Sequence, residues 1–347
     1  MIGRLGMLSL LLLMPAWAYQ GATVPLKPEG LALAAPADPP SLGPQPGACA
    51  RPSLCSHIIS CPSLLSAQNP LRYGAYGDGI HDDTAAVQAT INAGDVCFPA
   101  GRTFLINSPP LTIDVSNKHL QCEPGAVIKN SNYSTGNRIL IIAGPNHGRG
   151  LTADSVIGCD WDGANTEPSR FNTTSSEWNI PIWIAGVVNN ALIAGNTFNR
   201  WWGQAEVEIY GGDYCGGTGN IIEYNIFKNC GLYGPVVDAS TDDTIQYNTE
   251  IDCSSGVEND NSSQCTGHIV INHEHITAVH GMGYTEMHDS VFLTGGAAGG
   301  GDYRTNLVEN SSVSGIGTNG LHSAIERSAK YPAQYVDNAC TNGCVTK

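Results

Sequence analysis

One short phrase recurs along the second half of the chain: an apolar strand that ends in asparagine. It reads Ile193-Ala194-Gly195-Asn196, Ile222-Glu223-Tyr224-Asn225, Ile245-Gln246-Tyr247-Asn248 and Ile269-Val270-Ile271-Asn272, so the asparagines stand 29, 23 and 24 residues apart. Leu307-Val308-Glu309-Asn310 is a later copy. A period in the low twenties, built from short strands with Gly and Asn at the corners, predicts a β-solenoid. Each coil of three strands and three bends buries its apolar face only by stacking on the next. An asparagine repeated at one bend can bond its neighbours above and below and satisfy buried backbone groups. A β-sandwich also has many short strands, but nothing in it holds one residue type at a near-constant step.

Composition agrees. The chain has 41 Gly and 27 Asn among 347 residues, and both resist helix interiors, which excludes a mostly helical protein. A net charge of −15, with no Lys or Arg cluster beyond the first residues, excludes a nucleic-acid surface. Arg4, the leucine-rich run Met7 to Met14 and Pro15-Ala16-Trp17-Ala18 read as a signal peptide over residues 1–18. That run is far short of the roughly 20 apolar residues that span a bilayer, so no membrane span is expected and the chain reads as secreted. Twelve cysteines suit an oxidising compartment. Cys253 and Cys265 are placed to staple an insertion, but Cys253 also follows Cys230 by 23 residues, the period of the coils. Residues 19–70 form a Pro-rich arm holding Cys49, Cys55 and Cys61, residues 71–330 the solenoid, and residues 331–347 a tail that Cys340 and Cys344 close.

Before the repeats stands Tyr73-Gly74-Ala75-Tyr76-Gly77-Asp78-Gly79-Ile80-His81-Asp82-Asp83-Thr84, a glycine-spaced turn ending in helix-capping residues. A short helix should follow over Ala85 to Asn92, with Val87 and Ile91 on one face, placed to cover the open end of the first coil. This stretch, together with Phe98-Pro99-Ala100-Gly101-Arg102-Thr103-Phe104-Leu105-Ile106, resembles the N-terminal signature of the pectate-lyase-like, single-stranded right-handed β-helix superfamily. The resemblance implies an all-β, right-handed parallel β-helix with a short N-terminal capping helix. It also implies a carbohydrate partner, since the superfamily holds polygalacturonases, rhamnogalacturonase-like hydrolases, polysaccharide lyases, uronan epimerases and phage tailspikes. It does not imply one reaction. The Asn-Thr-Asp triplet of standard polygalacturonases is missing, and Val279 stands where His280-Gly281 would be preceded by glycine.

Rows of side chains about 4.8 Å apart let a groove gather acids one period apart in sequence. In Glu206-Val207-Glu208-Ile209 the alternation turns both acids outward, and Asp238 should stand beside Glu208 on the next coil. Two such carboxylates can split their pKa values, as glycoside hydrolysis requires. Glu206, Glu208 and Asp238 are therefore the candidate acid, base or nucleophile, with His280 as an orienting or proton-transfer residue. Trp202, Tyr210 and Tyr233 are candidate sugar-stacking residues and Arg327 a candidate partner for a sugar carboxylate. The same acids equally suit the solvated face of an acidic protein. Calcium fits beside Glu206, Glu208, Asp238 and Asp260. His273 and His275 share a strand face and read as surface residues, and Asp160-Trp161-Asp162-Gly163 reads as structural. The expected function is cleavage of a polysaccharide, with a uronic-acid-containing chain the expected substrate, by hydrolysis or β-elimination. A non-catalytic glycan-binding or structural β-helix is the competing class.

Overall fold

The computed structural model describes residues 61, 67–107, 110–130, 138–164, 179–201, 203–211, 216–231, 233–251, 253, 257–260 and 269–277, followed by strands at 292–294, 307–309, 312–314, 326–327, 334–336 and 339–341. The strands assemble into three long sheets and one of three short strands. Sheet A has nine strands, from Val96–Phe98 to Gln334–Val336; sheet B has ten, from Asp78–Asp82 to Ala339–Thr341; sheet C has eight, from Leu111–Ile113 to Glu326–Arg327. One coil runs Ile180–Ala185 in sheet C, Leu192–Ala194 in sheet A and Thr197–Asn199 in sheet B, then returns to sheet C at Ala205–Tyr210. Each of these strands pairs in parallel with its equivalent one coil on. The chain is a stacked parallel solenoid. Sheets A and B continue through Gln334–Val336 and Ala339–Thr341, so strands run past residue 330, where the sequence pattern had ended them. The signal segment, Cys49, Cys55 and Cys344 lie outside the described residues.

The interior is a set of columns, because in-register coils put like beside like. Val156, Ile193, Ile222, Ile245 and Ile271 succeed one another in sheet A, and Ile142, Ile184, Ile209 and Val237 in sheet C. All are buried. In sheet B, Trp161 stacks on Phe198 at 6.0 Å and Phe198 on Phe227 at 5.0 Å between ring centroids. Burial of each aliphatic chain is worth about 1.5–3 kcal/mol, and a coil obtains it only from its neighbours.

The asparagine ladder is present at the bend between sheets A and B. The Asn196 backbone N–H and side-chain amide both donate to Oδ1 of Asn225, at 2.9 and 3.1 Å. Asn225 repeats this toward Asn248 at 2.9 and 3.0 Å. Each side-chain amide also donates to a carbonyl of the preceding coil, that of Asn225 to Ile193 at 2.9 Å. Asn272 is not the next rung. It pairs with Gln246, and Glu274 takes the place instead, its Oε1 accepting from the Asn248 backbone and side chain at 3.1 Å each. A second polar ladder precedes sheet A, where Asn220 Oδ1 accepts from Ala191 N and Asp243 Oδ1 from Asn220 N.

At the N-terminal end the glycine-spaced signature has a mechanical reading. Asp83 is fully buried, and its carboxylate accepts from the backbone N–H groups of Tyr76, Gly77 and Leu105. It therefore pins the turn to the first coil, while Asp82 accepts from Thr84 at the start of the helix Thr84–Ala93. Gly79, at φ 73°, lies where a Cβ would meet Thr103 Cγ2 at 2.9 Å, so the turn admits no side chain there. Val87 and Ile91 of the helix join the core. Disulfides link Cys61 to Cys97, Cys122 to Cys159 and Cys230 to Cys253. The last follows the coil period and replaces the expected Cys253–Cys265 staple.

Replacing Asn225 by Ala leaves at least three buried backbone or amide groups without their partner, each worth about 1–3 kcal/mol. Urea unfolding should show a loss of about 3 kcal/mol or more, and a loss below about 1 kcal/mol would deny the ladder its structural role.

Candidate functional site

The strands of sheet C are rich in β-branched and aromatic residues, and their outer lines form the largest candidate surface that the sequence analysis singled out. One outer line runs Ile141, Trp183, Glu208, Val236 and the next Ala143, Ala185, Tyr210, Asp238. The inward line Ile142, Ile184, Ile209, Val237 lies between them. Glu208 and Asp238 thus share a face, but Asp238 stands beside Tyr210 rather than beside Glu208. Val236 is the lateral neighbour of Glu208. One strand across and two residues along places the two acidic residues diagonally, roughly 8 Å apart by strand spacing and rise.

Glu206 departs from the expectation. Its strand does not keep strict alternation, since Glu206 lies opposite Gly234 in the register, and a Cβ on Gly234 would meet the Glu250 carboxyl carbon at 3.0 Å and Phe227 at 3.2 Å. Phe227 and Glu250 belong to the interior column of sheet B. Glu206 is 1% exposed, and its pKa is pushed well up first by burial and then by the charge of Glu250. It faces the interior, away from the outer lines. Two-residue alternation fails here, since Glu206 and Val207 both lie among inward groups.

The outer face instead gathers two residues that the sequence reading passed over. The Arg138 guanidinium carbon lies 3.7 Å from the Trp183 ring centroid, and Trp183 packs against Tyr210 at 5.6 Å and 31°. Burial lowers the Arg138 pKa, while Glu208 and then Tyr210 hold it up electrostatically. Arg138, Trp183, Glu208 and Tyr210 therefore form one group. Trp183, Tyr210 and Asp238 are half-buried, while Glu208 is covered at 2% exposure. No periodic signal marks Arg138 or Trp183, because their coils precede the first regular asparagine.

Tyr233 is not a surface platform. It is 3% exposed and packs with Ala205 and Val236. Arg327 lies in a strand that pairs with Phe292–Thr294, on the register line that leads through Asn259 to Val237, not on the line of Asp238. Trp202 and His280 lie outside the described residues. Of the four acids named for calcium, Glu206 faces the interior, away from Glu208 and Asp238. Among the described residues three metal-ligating side chains converge only at Cys61, Cys97 and Glu123, where the two thiols are joined in a disulfide. Elsewhere, His273 and His275 are exposed, with His273 stacked on Tyr247 and Tyr247 on Tyr224. Asp162 is clamped by Arg200 at 2.6 and 2.7 Å.

No family model matches the sequence, and no curated protein matches it. Solved structures do match the fold. A surface adhesin of Streptococcus pneumoniae, PfbA, is similar with a TM-score of 0.53 at 17% identity, covering 81% of each chain. The pre-mature bacteriophage phi29 gene product 12 is similar with a TM-score of 0.53 at 17% identity, covering 79% of this chain and 42% of that one. The fold is the right-handed parallel β-helix. Within a β-helix the outer lines of sheet C run across successive coils, so Trp183 and Glu208 on one line, Tyr210 and Asp238 on the next, and Arg138 over Trp183 form one patch spanning four consecutive coils. Among the described residues no helix is long and apolar enough to cross a membrane.

A guanidinium over an indole is worth about 1 to 2 kcal/mol when partly desolvated. A double-mutant cycle with Arg138→Met and Trp183→Leu, read by urea unfolding, should return a coupling of about 1 kcal/mol. Strict additivity would show that the two side chains do not act together.

Proposed function

We propose that this chain is an exported β-helix protein that binds a polysaccharide along the outer face of sheet C. The observation that carries this reading is the Arg138–Trp183–Tyr210 group with Glu208 beneath it and Asp238 beside it. Aromatic rings offer apolar faces to sugar C–H groups, a guanidinium offers a fork of donors, and carboxylates accept from hydroxyls. A patch that crosses four coils suits a linear chain whose sugar units follow the helix axis. Export is supported by the signal-like residues 1–18 and by disulfides that join successive coils.

A second reading, hydrolysis, is favoured by one geometric fact. Glu208 and Asp238 share the outer face on neighbouring coils, their Cα atoms roughly 8 Å apart by strand spacing and rise, so two carboxyl groups can reach one glycosidic bond, as hydrolysis requires. In that mechanism one carboxyl protonates the leaving oxygen and the other activates water. Glu208, covered and beside a cation, and Asp238, half-buried, supply two different environments for those roles.

The test is a panel of uronans and neutral glycans. Binding is read with immobilised glycans, and cleavage by new reducing ends and by absorbance of unsaturated uronates. Binding that Trp183→Ala weakens at least tenfold supports the platform. Reducing ends without the chromophore, abolished by Glu208→Gln and by Asp238→Asn while binding stays within a few-fold, establish hydrolysis. The chromophore would replace hydrolysis with elimination, and a panel on which Trp183→Ala binds as well as the parent protein would remove sheet C from the function.

A further inference from the structure

The bend between sheets A and B carries a second column, outside the asparagine ladder. Register places Cys122, Gly158, Gly195, Tyr224, Tyr247 and His273 at one position on successive coils. From Gly158 to His273 every member has a left-handed backbone, with φ of 72°, 65°, 53°, 56° and 55°. Glycine adopts that conformation readily, whereas a tyrosine or histidine is strained there. The chain therefore uses the easy residue twice and then sets three large rings on consecutive coils. Tyr224 and Tyr247 are half-buried and His273 is exposed, so core packing does not call for these rings. Strain of this kind gathers where a surface has a task beyond folding.

The rings form a stack. Tyr224 and Tyr247 lie 4.9 Å apart at 6°, and Tyr247 and His273 4.5 Å apart at 21°. Rings stacked from coil to coil stand across the helix axis, which turns the second face of Tyr224 toward the coil of Gly195. There the column carries no side chain for two coils. Among the described residues a Cβ at Gly195 would meet no atom within 4 Å, and one at Gly158 only the Cys122 carbonyl oxygen, at 3.4 Å. Gly195 is exposed and Gly158 half-buried. Between Cys122 and Tyr224 this leaves a notch of two rows, roughly 10 Å by the spacing of strands.

Register sets Ile157, Ala194 and Glu223 along the sheet A side of the notch, and Asp160, Thr197 and Ile226 along its sheet B side. Glu223 Oε2 accepts from Gln246 Nε2 at 2.7 Å, and Asp160 is bonded to the Thr197 side chain, with Lys228 acting on it electrostatically. Two carboxylates against one ammonium leave the rim negative, suited to accept from hydroxyl groups and to repel an acid.

We propose that this notch is a second carbohydrate site, which takes one neutral pyranose. The sugar ring lies where the side chain of Gly195 is missing, with its C–H face on Tyr224 and its hydroxyls toward Glu223 and Asp160. Tyr247 and His273, stacked behind Tyr224, are positioning residues that hold its ring across the axis. The site uses no residue of sheet C, so it stands whether or not the outer face of that sheet binds glycan.

Methyl glycosides of glucose, galactose and mannose, with methyl glucuronide beside them, are titrated into the full chain at millimolar concentration. Binding is read by saturation-transfer NMR and by shifts of the tyrosine ring signals. At least one neutral glycoside should bind, and more tightly than the glucuronide. Gly195→Tyr extends the stack with the residue that the next two coils hold in the same backbone, and so fills the notch. Tyr224→Gly gives its coil the residue of the two before it. Each should weaken binding about tenfold or more. If Gly195→Tyr does not fold, Gly195→Asn serves, because asparagine tolerates the left-handed backbone and still occupies the notch. Binding that these variants leave unchanged, a glucuronide held as tightly as the neutral sugars, or no glycoside bound at all overturns the proposal. Binding that Trp183→Ala abolishes while the notch variants keep it overturns it too, since sheet C would then hold the sugar.

Discussion

The whole molecule depends on the bends being polar yet dry. A solenoid turns its backbone three times per coil, and each turn carries N–H and C=O groups into the interior where water does not reach. The ladder from Asn196 through Asn225 to Asn248 resolves this because each side chain accepts from an N–H and donates to a carbonyl of the coil before it, while its amide also donates to the side chain of the coil after. Since every rung needs the next in register, the ladder fixes register as well as satisfying groups. The columns of isoleucine in sheet A and of rings in sheet B follow from that alignment.

Inside and outside are consequently not independent. The strand Ala205–Tyr210 contributes Glu206 to the interior acids and Glu208 and Tyr210 to the outer patch. Its break in alternation, with Glu206 and Val207 both inward, separates two glutamates of the same strand into opposite environments. One is surrounded by rings and other acids, and the other lies in the field of Arg138.

Much of the fold was legible because periodicity is a property of backbone stacking, and stacking leaves a mark in sequence. The strand-Asn phrase located sheets A and B, and the Gly-Asp signature located the first coil, where Asp83 is the pin. What the pattern could not carry was phase within a coil. Asn272 was read as a rung although Glu274 holds it, since a Glu carboxylate accepts the same two bonds as an Asn oxygen. Asp238 was set beside Glu208 because the step between asparagines was applied to sheet C, whose loops differ in length from the bends. Arg138 and Trp183 were missed because lateral neighbours on coils before the regular repeats share no local motif.

The substitution of Glu274 for asparagine gives the ladder a direction. Each Asn receives from the coil behind it and donates to the coil ahead, whereas a glutamate receives but has no amide with which to hand the pattern on. Rungs can thus be copied only upstream of that point: a duplicated coil inserted between Asn225 and Asn248 would find a donor on one side and an acceptor on the other, while one inserted after Glu274 would begin without an instruction. Among the described residues a single side chain thus marks where the amide-to-amide ladder ends, while the strands of sheets A and B stack on beyond it.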